Sequence, residues 1–162
     1  MLKKSINHSN YFTDHKKKHK IMLGSNLILR ESSLFKQIKK RIKRGDFGKI
    51  FYFEGDYLYG RLNKILNGWR GKEIDYSVIT GGAIHLIDLM IYLLGSFPTT
   101  VKSYQNKIVT ANKSFKPSDF NLLIYKFKNK ALGKISSNYG CVHNHQHVVR
   151  VFGTKKTFIY DD

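Results

Sequence analysis

The sequence predicts an α+β domain, in which two or three helices pack on one face of a largely antiparallel, mixed and open sheet. Two helical stretches occur in the first 95 residues, one amphipathic and one apolar nearly all round. From residue 101 onward, only strand-like runs separated by turns remain. Segregation of helices from a later run of strands is the pattern of an α+β fold.

Length and composition suit one globular domain with a strongly basic surface. The chain has 162 residues, and 41% of them are hydrophobic, which is enough for a core. Its 29 Lys and Arg against 11 Asp and Glu give a formal charge of +18. Because 23 of the 29 are Lys, we interpret the charge as a Lys-rich solvated surface, and nucleic-acid binding is the less favoured alternative. The single cysteine, Cys141, cannot form an internal disulfide.

The sequence contains no apolar segment of membrane-spanning length. The longest candidate, residues 81–94, falls short of the roughly 20 residues required and contains His85 and Asp88. No apolar stretch follows the charged N-terminus, so a signal peptide is not expected. We therefore expect a cytoplasmic protein that has no membrane partner.

The first 58 residues predict a basic segment, a strand, a helix and a second strand. Residues 1–19 form the basic segment, for which a frayed helix and a disordered arm both fit, and residues 20–162 form the single α+β domain. Lys20–Leu29 is predicted as a strand, and the helix after it should stop at Gly45. Lys49–Leu58, rich in Ile, Phe and Tyr, is the next strand.

A long loop, a buried helix and five strands are predicted in the rest of the chain. Residues 59–79 are irregular, and a loop of this length in a compact domain usually serves function. Gly82–Leu94 predicts a buried helix that ends at Gly95. Lys128-Asn129-Lys130 predicts a hairpin turn in which Asn adopts the positive φ, and residues 153–156 form a second turn. The strand candidates are Val101–Thr110, Phe120–Phe127, Ala131–Asn138, His147–Phe152 and Thr157–Tyr160.

Two polar residues interrupt the apolar helix. His85 and Asp88 are three residues apart and therefore lie on one face of the helix. A charged group in such a helix is costly unless it is paired, so both need partners or a cavity. A substrate site with His85 as acid, base or ligand and a purely structural pair both fit, and Asp88 favours the structural interpretation.

Three further histidines alternate along a predicted strand. His143, His145 and His147 would lie on one face, because side chains of a strand point alternately to its two sides. Three imidazoles could hold zinc, but a substrate contact by one of them is favoured over that and no metal is expected. A polar strand face that lines a substrate cleft or an oligomer interface also fits. Around the long loop, aromatic and basic residues could form a rim that binds a sugar or an anion. They are Tyr57, Tyr59, Trp69 and Arg70.

Several stretches, taken in order, resemble one enzyme family. They are RGDFGKIFYFEGDYLYG, GWRG, GGAIHLIDLMIYLLGSFPTTVKSY and, last, VFGTKKTFIY. Over about residues 20–160 the chain resembles the C-terminal domain of the Gfo/Idh/MocA oxidoreductases, the relatives of glucose–fructose oxidoreductase and inositol dehydrogenase. The helix with His-x-x-Asp spacing is the specific part of this match.

The resemblance implies the substrate domain of an NAD(P)-dependent oxidoreductase that acts on a sugar, nucleotide sugar or polyol. It also implies a homo-oligomer built through the sheet. His85 would occupy the position of the family's catalytic histidine, which orients the substrate or shuttles a proton. The candidate substrate-binding residues are then Tyr57, Trp69, Arg70 and His145.

The sequence departs from the family pattern in three ways. It contains no G-x-G-x-x-G, so the Rossmann domain is missing, and residues 1–19 would be a remnant of its last helix. It also lacks the family's Glu-Lys-Pro motif, and Gly81 stands where many members have Asp. We therefore expect that neither NAD nor NADP binds tightly to this chain alone. The chain is then inactive by itself, either as a fragment or with a Rossmann domain supplied in trans.

Overall fold

The protein is a six-stranded mixed open sheet with helices packed on it, which confirms the predicted α+β class. The computed structural model describes residues 13–14, 16–20, 22, 24–73 and 76–161. The helices are Ser33–Lys43 (α1), Leu62–Leu66 (α2) and Ile84–Leu94 (α3). The strands are Ile50–Leu58 (β1), Thr100–Asn106 (β2), Phe120–Lys126 (β3), Leu132–Asn138 (β4), Gln146–Gly153 (β5) and Thr157–Tyr160 (β6).

Strand β1 lies inside the sheet, whose order is β2-β3-β4-β1-β5-β6. It pairs in parallel with β4 and antiparallel with β5, and every other pairing is antiparallel. Gly55 lies opposite Ile135 of β4 and Val149 of β5. Because side chains alternate along a strand, this register places Phe53, Gly55 and Tyr57 on the face that the helices cover.

Helix α3 forms the centre of the hydrophobic core. Leu86, Leu89, Met90 and Leu93 have no exposed surface, as an almost entirely apolar helix requires. The helix ends at Gly95, whose φ of 71° is the left-handed conformation predicted for its cap.

Helix α1 packs on the same face as α3, near the end of the sheet. Its buried residues Phe35 and Ile38 are three apart, as one face of a helix requires. The Phe35 ring makes edge contacts with Phe158 and Tyr160 of β6, at centroid distances of 6.3 and 5.5 Å. Gly45, with a φ of 82°, follows the helix as predicted.

The predicted strand Lys20–Leu29 is wrong over the residues that the structure describes there. Residue 22 and residues 24–27 are irregular, and Ile28–Glu31 form a 3₁₀ turn. The turn-forming Gly24-Ser25-Asn26 interrupts the apolar alternation, and the turn brings Arg30 against α3 instead of extending the sheet. Of the basic segment, residues 13–14 and 16–19 are helical, and residues 1–12 lie outside the described part.

Three other local predictions need correction. Strand β2 stops at Asn106, short of Thr110. Residues 59–79 are not wholly irregular, because they contain α2 and a 3₁₀ turn at Trp69–Gly71. In the 128–130 hairpin, Lys130 takes the positive φ of 69°, while the Asn129 side chain accepts a hydrogen bond from the Ala131 amide.

The opposite face of the sheet carries a compact network of ion pairs. Lys134 on β4 contacts Glu54, at 3.0 Å, and Asp56 of β1. Arg150 on β5 lies 3.4 Å from the same Glu54 carboxylate. Two cations therefore contact two carboxylates in the middle of this face, which we call the outer face, and Arg150 also lies 3.8 Å from the more exposed Asp161.

Asp88 pairs with Arg30 of the 3₁₀ turn Ile28–Glu31 and not with His85. The Arg30 guanidinium donates from Nε to Oδ2 at 2.6 Å and from Nη2 to Oδ1 at 2.5 Å. Such a two-point contact fixes both distance and orientation. It ties the turn before α1 to the buried helix α3.

In the described part of the chain, no helix is long and apolar enough to cross a membrane.

A structural role for Asp88 predicts a measurable loss of stability when its partner is removed. Arg30→Met keeps most of the aliphatic stem but leaves the Asp88 carboxylate unpaired, and should lower the free energy of unfolding by about 1–3 kcal/mol. The matched control is Lys36→Met, which breaks the exposed pair with Glu31 and should cost under about 1 kcal/mol. Equal effects in urea unfolding would refute the structural role.

Candidate functional site

A cavity of about 310 Å³ opens where β1 ends and the approach to α3 begins. Its lining comes from β1 and the segment after it, from α2 and the 3₁₀ turn Trp69–Gly71, and from the start of α3 with the residues before it. The loop before β5 completes it. The lining residues are Tyr57, Tyr59, Arg61, Lys64, Arg70, Tyr76, Gly81, His85 and His145.

His85 lines this cavity from the first turn of α3. A short π-helical segment, Ile79–Ala83, which we call the π-turn, leads directly into that helix. A π-turn widens the helix locally and is common at functional sites. His85 is partly buried, and its Nδ1 has no hydrogen-bond partner in the described part of the chain. An unpartnered buried nitrogen is rare in a core, and a binding site is one explanation for it.

The Tyr57 ring forms the floor beneath His85. The two rings are nearly parallel, with centroids 6.4 Å apart. A Cβ at Gly82 would come within 2.8 Å of the Tyr57 ring and 2.9 Å of the Ser137 Oγ, so only glycine allows this close approach. The Ser137 hydroxyl in turn donates to the carbonyl of Val78 and holds the π-turn against β4.

Aromatic rings surround the floor of the cavity. Tyr59 stacks on the buried Tyr139 at a centroid distance of 4.5 Å. His145 and His147 present their rings edge-on to Tyr57 at 5.2 and 4.9 Å. The result is a wall of π surfaces with polar edges, which suits the mixed apolar and hydroxyl surface of a sugar.

Gly81 leaves space that a hydroxyl pair fills. The Tyr76 and Tyr139 hydroxyls are hydrogen-bonded at 2.8 Å. A Cβ at Gly81 would overlap the Tyr76 hydroxyl and lie 2.7 Å from that of Tyr139. The chain therefore has no room for an Asp at position 81 while this tyrosine pair stands.

Burial sets the protonation of the site. It lowers the pKa of His85 below 6.5, so the imidazole is neutral at neutral pH. Burial also raises the pKa of Tyr57 to about 12, and it raises those of Tyr76 and Tyr139. The phenols are therefore protonated, and a neutral imidazole is the group that can accept a proton here.

The structure gathers most of the predicted site residues but not all. Tyr57, Arg70, His85 and His145 line one cavity. Trp69 lies outside this lining, is 63% exposed and carries the Arg70 guanidinium 4.7 Å above its ring.

The prediction that His143, His145 and His147 share one face of a strand is wrong. Only His147 belongs to β5, because the chain bends before it. His143 is exposed, and His145 places its Nδ1 3.2 Å from the Leu58 carbonyl. Among the residues described, no group of three or more His, Cys, Asp or Glu is placed to hold a metal.

Sequence reasoning missed Arg61, Lys64 and Tyr76 in the cavity lining. All three lie in residues 59–79, the loop that its length had marked as functional. The available signal was the basic charge of that loop, but which cations converge depends on the turns at α2 and Trp69–Gly71.

The described residues do not fit a dinucleotide cofactor. NAD(P) needs a strand, a glycine-rich turn and a helix whose N-terminus receives the pyrophosphate. After β1 the chain instead enters Tyr59-Gly60-Arg61 and the five-residue α2. We therefore derive no step of a reaction through this group on the present chain.

Comparison with known families identifies the domain. The oxidoreductase family's C-terminal alpha/beta domain, of the Gfo/Idh/MocA group, matches residues 39–162. The chain belongs to this family. No curated protein sequence matches it.

Solved structures share this domain's fold at low identity. Myo-inositol 2-dehydrogenase from Lactobacillus plantarum has a TM-score of 0.83 at 17% identity, over 95% of this chain and 46% of its own. Scyllo-inositol dehydrogenase from Lactobacillus casei, solved with NAD(H) and scyllo-inositol, has a TM-score of 0.75 at 11% identity, over 90% and 44%. The WlbA dehydrogenase from Bordetella pertussis, in complex with NADH and UDP-GlcNAcA, has 0.68 at 21%, over 79% and 39%. The chain spans less than half the length of these structures.

The steric role of Gly81 can be tested with a double-mutant cycle. Gly81→Ala should destabilise the fold by about 1–3 kcal/mol, because the new methyl group overlaps Tyr76. In a Tyr76→Ala background the added cost should fall by about 1 kcal/mol or more. Gly24→Ala is the control, because its Cβ would meet nothing within 4 Å. An unchanged cost in the double variant would show that Tyr76 is not the obstacle.

Proposed function

We propose that this chain is the substrate domain of an NAD(P)-dependent oxidoreductase that acts on a sugar, nucleotide sugar or polyol. The single observation that carries the proposal is the cavity in which His85 lies beside the Tyr57 and Tyr59 rings. Family membership supports it, as do the ligands of two similar structures, scyllo-inositol and UDP-GlcNAcA.

In this proposal His85 handles the proton of the substrate. Oxidation of an alcohol to a carbonyl requires removal of the hydroxyl proton, and a neutral imidazole can accept it. Burial keeps His85 neutral at neutral pH. Tyr57, Arg70 and His145 hold and orient the sugar around this imidazole, while Trp69 would contribute by supporting Arg70.

The nicotinamide cofactor supplies the hydride acceptor and comes from a dinucleotide-binding domain, in the same polypeptide or in trans. The chain alone is inactive in this account and binds NAD or NADP weakly. The alternative is a non-catalytic binding or assembly protein that keeps the fold. It shares the cavity but predicts no turnover when a cofactor domain is supplied.

The outer face of the sheet is the proposed surface for a homo-oligomer. Tyr104, Leu132 and Ile159 are exposed there, around an ion network in which every carboxylate has a cationic partner. A second copy could cover this face without burying an unpaired charge.

Sedimentation should show that the chain forms an oligomer. Ile124→Asp, on the outer face, should dissociate this oligomer, whereas Val142→Asp, in an exposed loop, should not. A monomer at every concentration would refute this proposal.

The substrate site can be tested on the chain itself by NMR. Scyllo-inositol, levoglucosan and UDP-GlcNAcA are titrated while the His85 and Tyr57 ring signals are followed. We expect at least one of them to bind, and His85→Ala to weaken it at least tenfold, which corresponds to about 1.4 kcal/mol.

The matched control is His143→Ala, which removes an exposed histidine outside the cavity and should leave affinity unchanged. Binding that neither variant alters, or the absence of binding by every ligand, would contradict a substrate site at His85. Binding without NADH formation after a cofactor domain is added would favour the non-catalytic alternative.

A further inference from the structure

Three cations from three different segments line the cavity. Arg61 follows β1, Lys64 lies in α2 and Arg70 lies in the 3₁₀ turn. Among the described residues of the lining, none is Asp or Glu. The segment after β1 therefore folds so that positive charge collects on one side of the opening.

The two arginines of this group differ from the other four in the chain. Arg30, Arg41, Arg44 and Arg150 each contact a carboxylate. Within the described part of the chain, Arg61 and Arg70 have no such partner. The Trp69 ring supports the Arg70 guanidinium from one side, which limits its orientations without neutralising its charge.

No other described residue of the lining offsets this charge at neutral pH. The phenols remain protonated, because burial raises the pKa of Tyr57 to about 12 and that of Tyr76 as well. The field of the cations also extends to the floor of the cavity, since Arg61 and Arg70 both act to lower the pKa of Tyr57. An anionic group would find several donors there, and no carboxylate among the described lining residues would repel it.

The overall charge of +18 does not account for this arrangement. Only 6 of the 29 basic residues are Arg, yet two of them lie at this cavity. Guanidinium groups bind phosphate and carboxylate through two parallel hydrogen bonds, which a Lys ammonium cannot form.

We propose that the cavity selects a sugar that carries an anionic group, either a phosphate or a carboxylate. The sugar ring lies between His85 and the tyrosines, and its charged group contacts Arg61, Lys64 and Arg70. This inference rests on the proposed function and narrows its substrate class. In this inference, the basic residues of the loop 59–79 recognise the charged group of the substrate.

The test measures affinities of the full chain for four probes at one ionic strength: glucose, glucose 6-phosphate, glucuronate and inorganic phosphate. We expect glucose 6-phosphate, glucuronate or both to bind at least tenfold more tightly than glucose, and the two arms separate phosphate from carboxylate. Arg61→Gln/Arg70→Gln should lower the affinity for the charged sugar at least tenfold more than it lowers the affinity for glucose.

The matched control is Lys102→Gln/Lys128→Gln, which removes two exposed charges far from the lining and should retain the preference. Equal affinity for glucose and both charged sugars, with His85 signals shifting, would overturn the anion inference and leave the proposed function standing. An equal loss in the control would assign the preference to net charge. Phosphate alone binding as tightly as glucose 6-phosphate would reduce the site to an adventitious ion only. No binding by any sugar would contradict both proposals.

Discussion

The close approach of α3 to strands β1 and β4 is the constraint on which the site depends. Glycines at three positions lie along this contact. A Cβ at Gly55 would lie 3.4 Å from Leu86, and one at Gly133 would lie 2.5 Å from the Met90 sulfur. Gly82 allows the same approach over the Tyr57 ring. Because the helix packs this closely on the sheet, its first turn places the His85 ring beside the Tyr57 ring of β1.

That placement links core packing to chemistry. The residues that bury α3, Leu86 and Met90, lie within one or two turns of His85, so the imidazole position is fixed by the core rather than by a loop. Arg30 adds a second constraint by holding Asp88, one turn after His85 in the same helix. The basic residues after β1, in contrast, occupy exposed positions on α2 and the turns beside it. Under the proposed function, the core thus holds the proton-accepting group in place, while the residues that recognise the charge of the substrate lie at exposed positions outside the core.

Much of this architecture follows from local sequence pattern. The apolar run of α3, its glycine stop and the strand alternation after residue 100 are set by near neighbours, and the structure confirms them. The strand assigned to Lys20–Leu29 failed because the contact of Arg30 with Asp88, 58 residues away, decides that segment. The histidine run failed because the chain bends between His143 and His147.

The composition of the site was only partly accessible from sequence. His85, Tyr57, Arg70 and His145 were found because each stood out by type or by a family motif. Convergence of Arg61 and Lys64 on the same cavity is a tertiary property, since it depends on the turns that follow β1. The parallel pairing of β1 with β4 likewise joins residues about 80 positions apart and leaves no local signal.

A crystal structure of the chain with a bound anionic sugar would show whether His85 and the arginines form one substrate site. We expect density in the cavity, with a sugar hydroxyl in hydrogen-bond contact with His85 and the anionic group in contact with Arg61 or Arg70. A sugar bound elsewhere, such as in the cavity beside Arg30 and Asp88, or oriented with its charge away from the arginines, would contradict it.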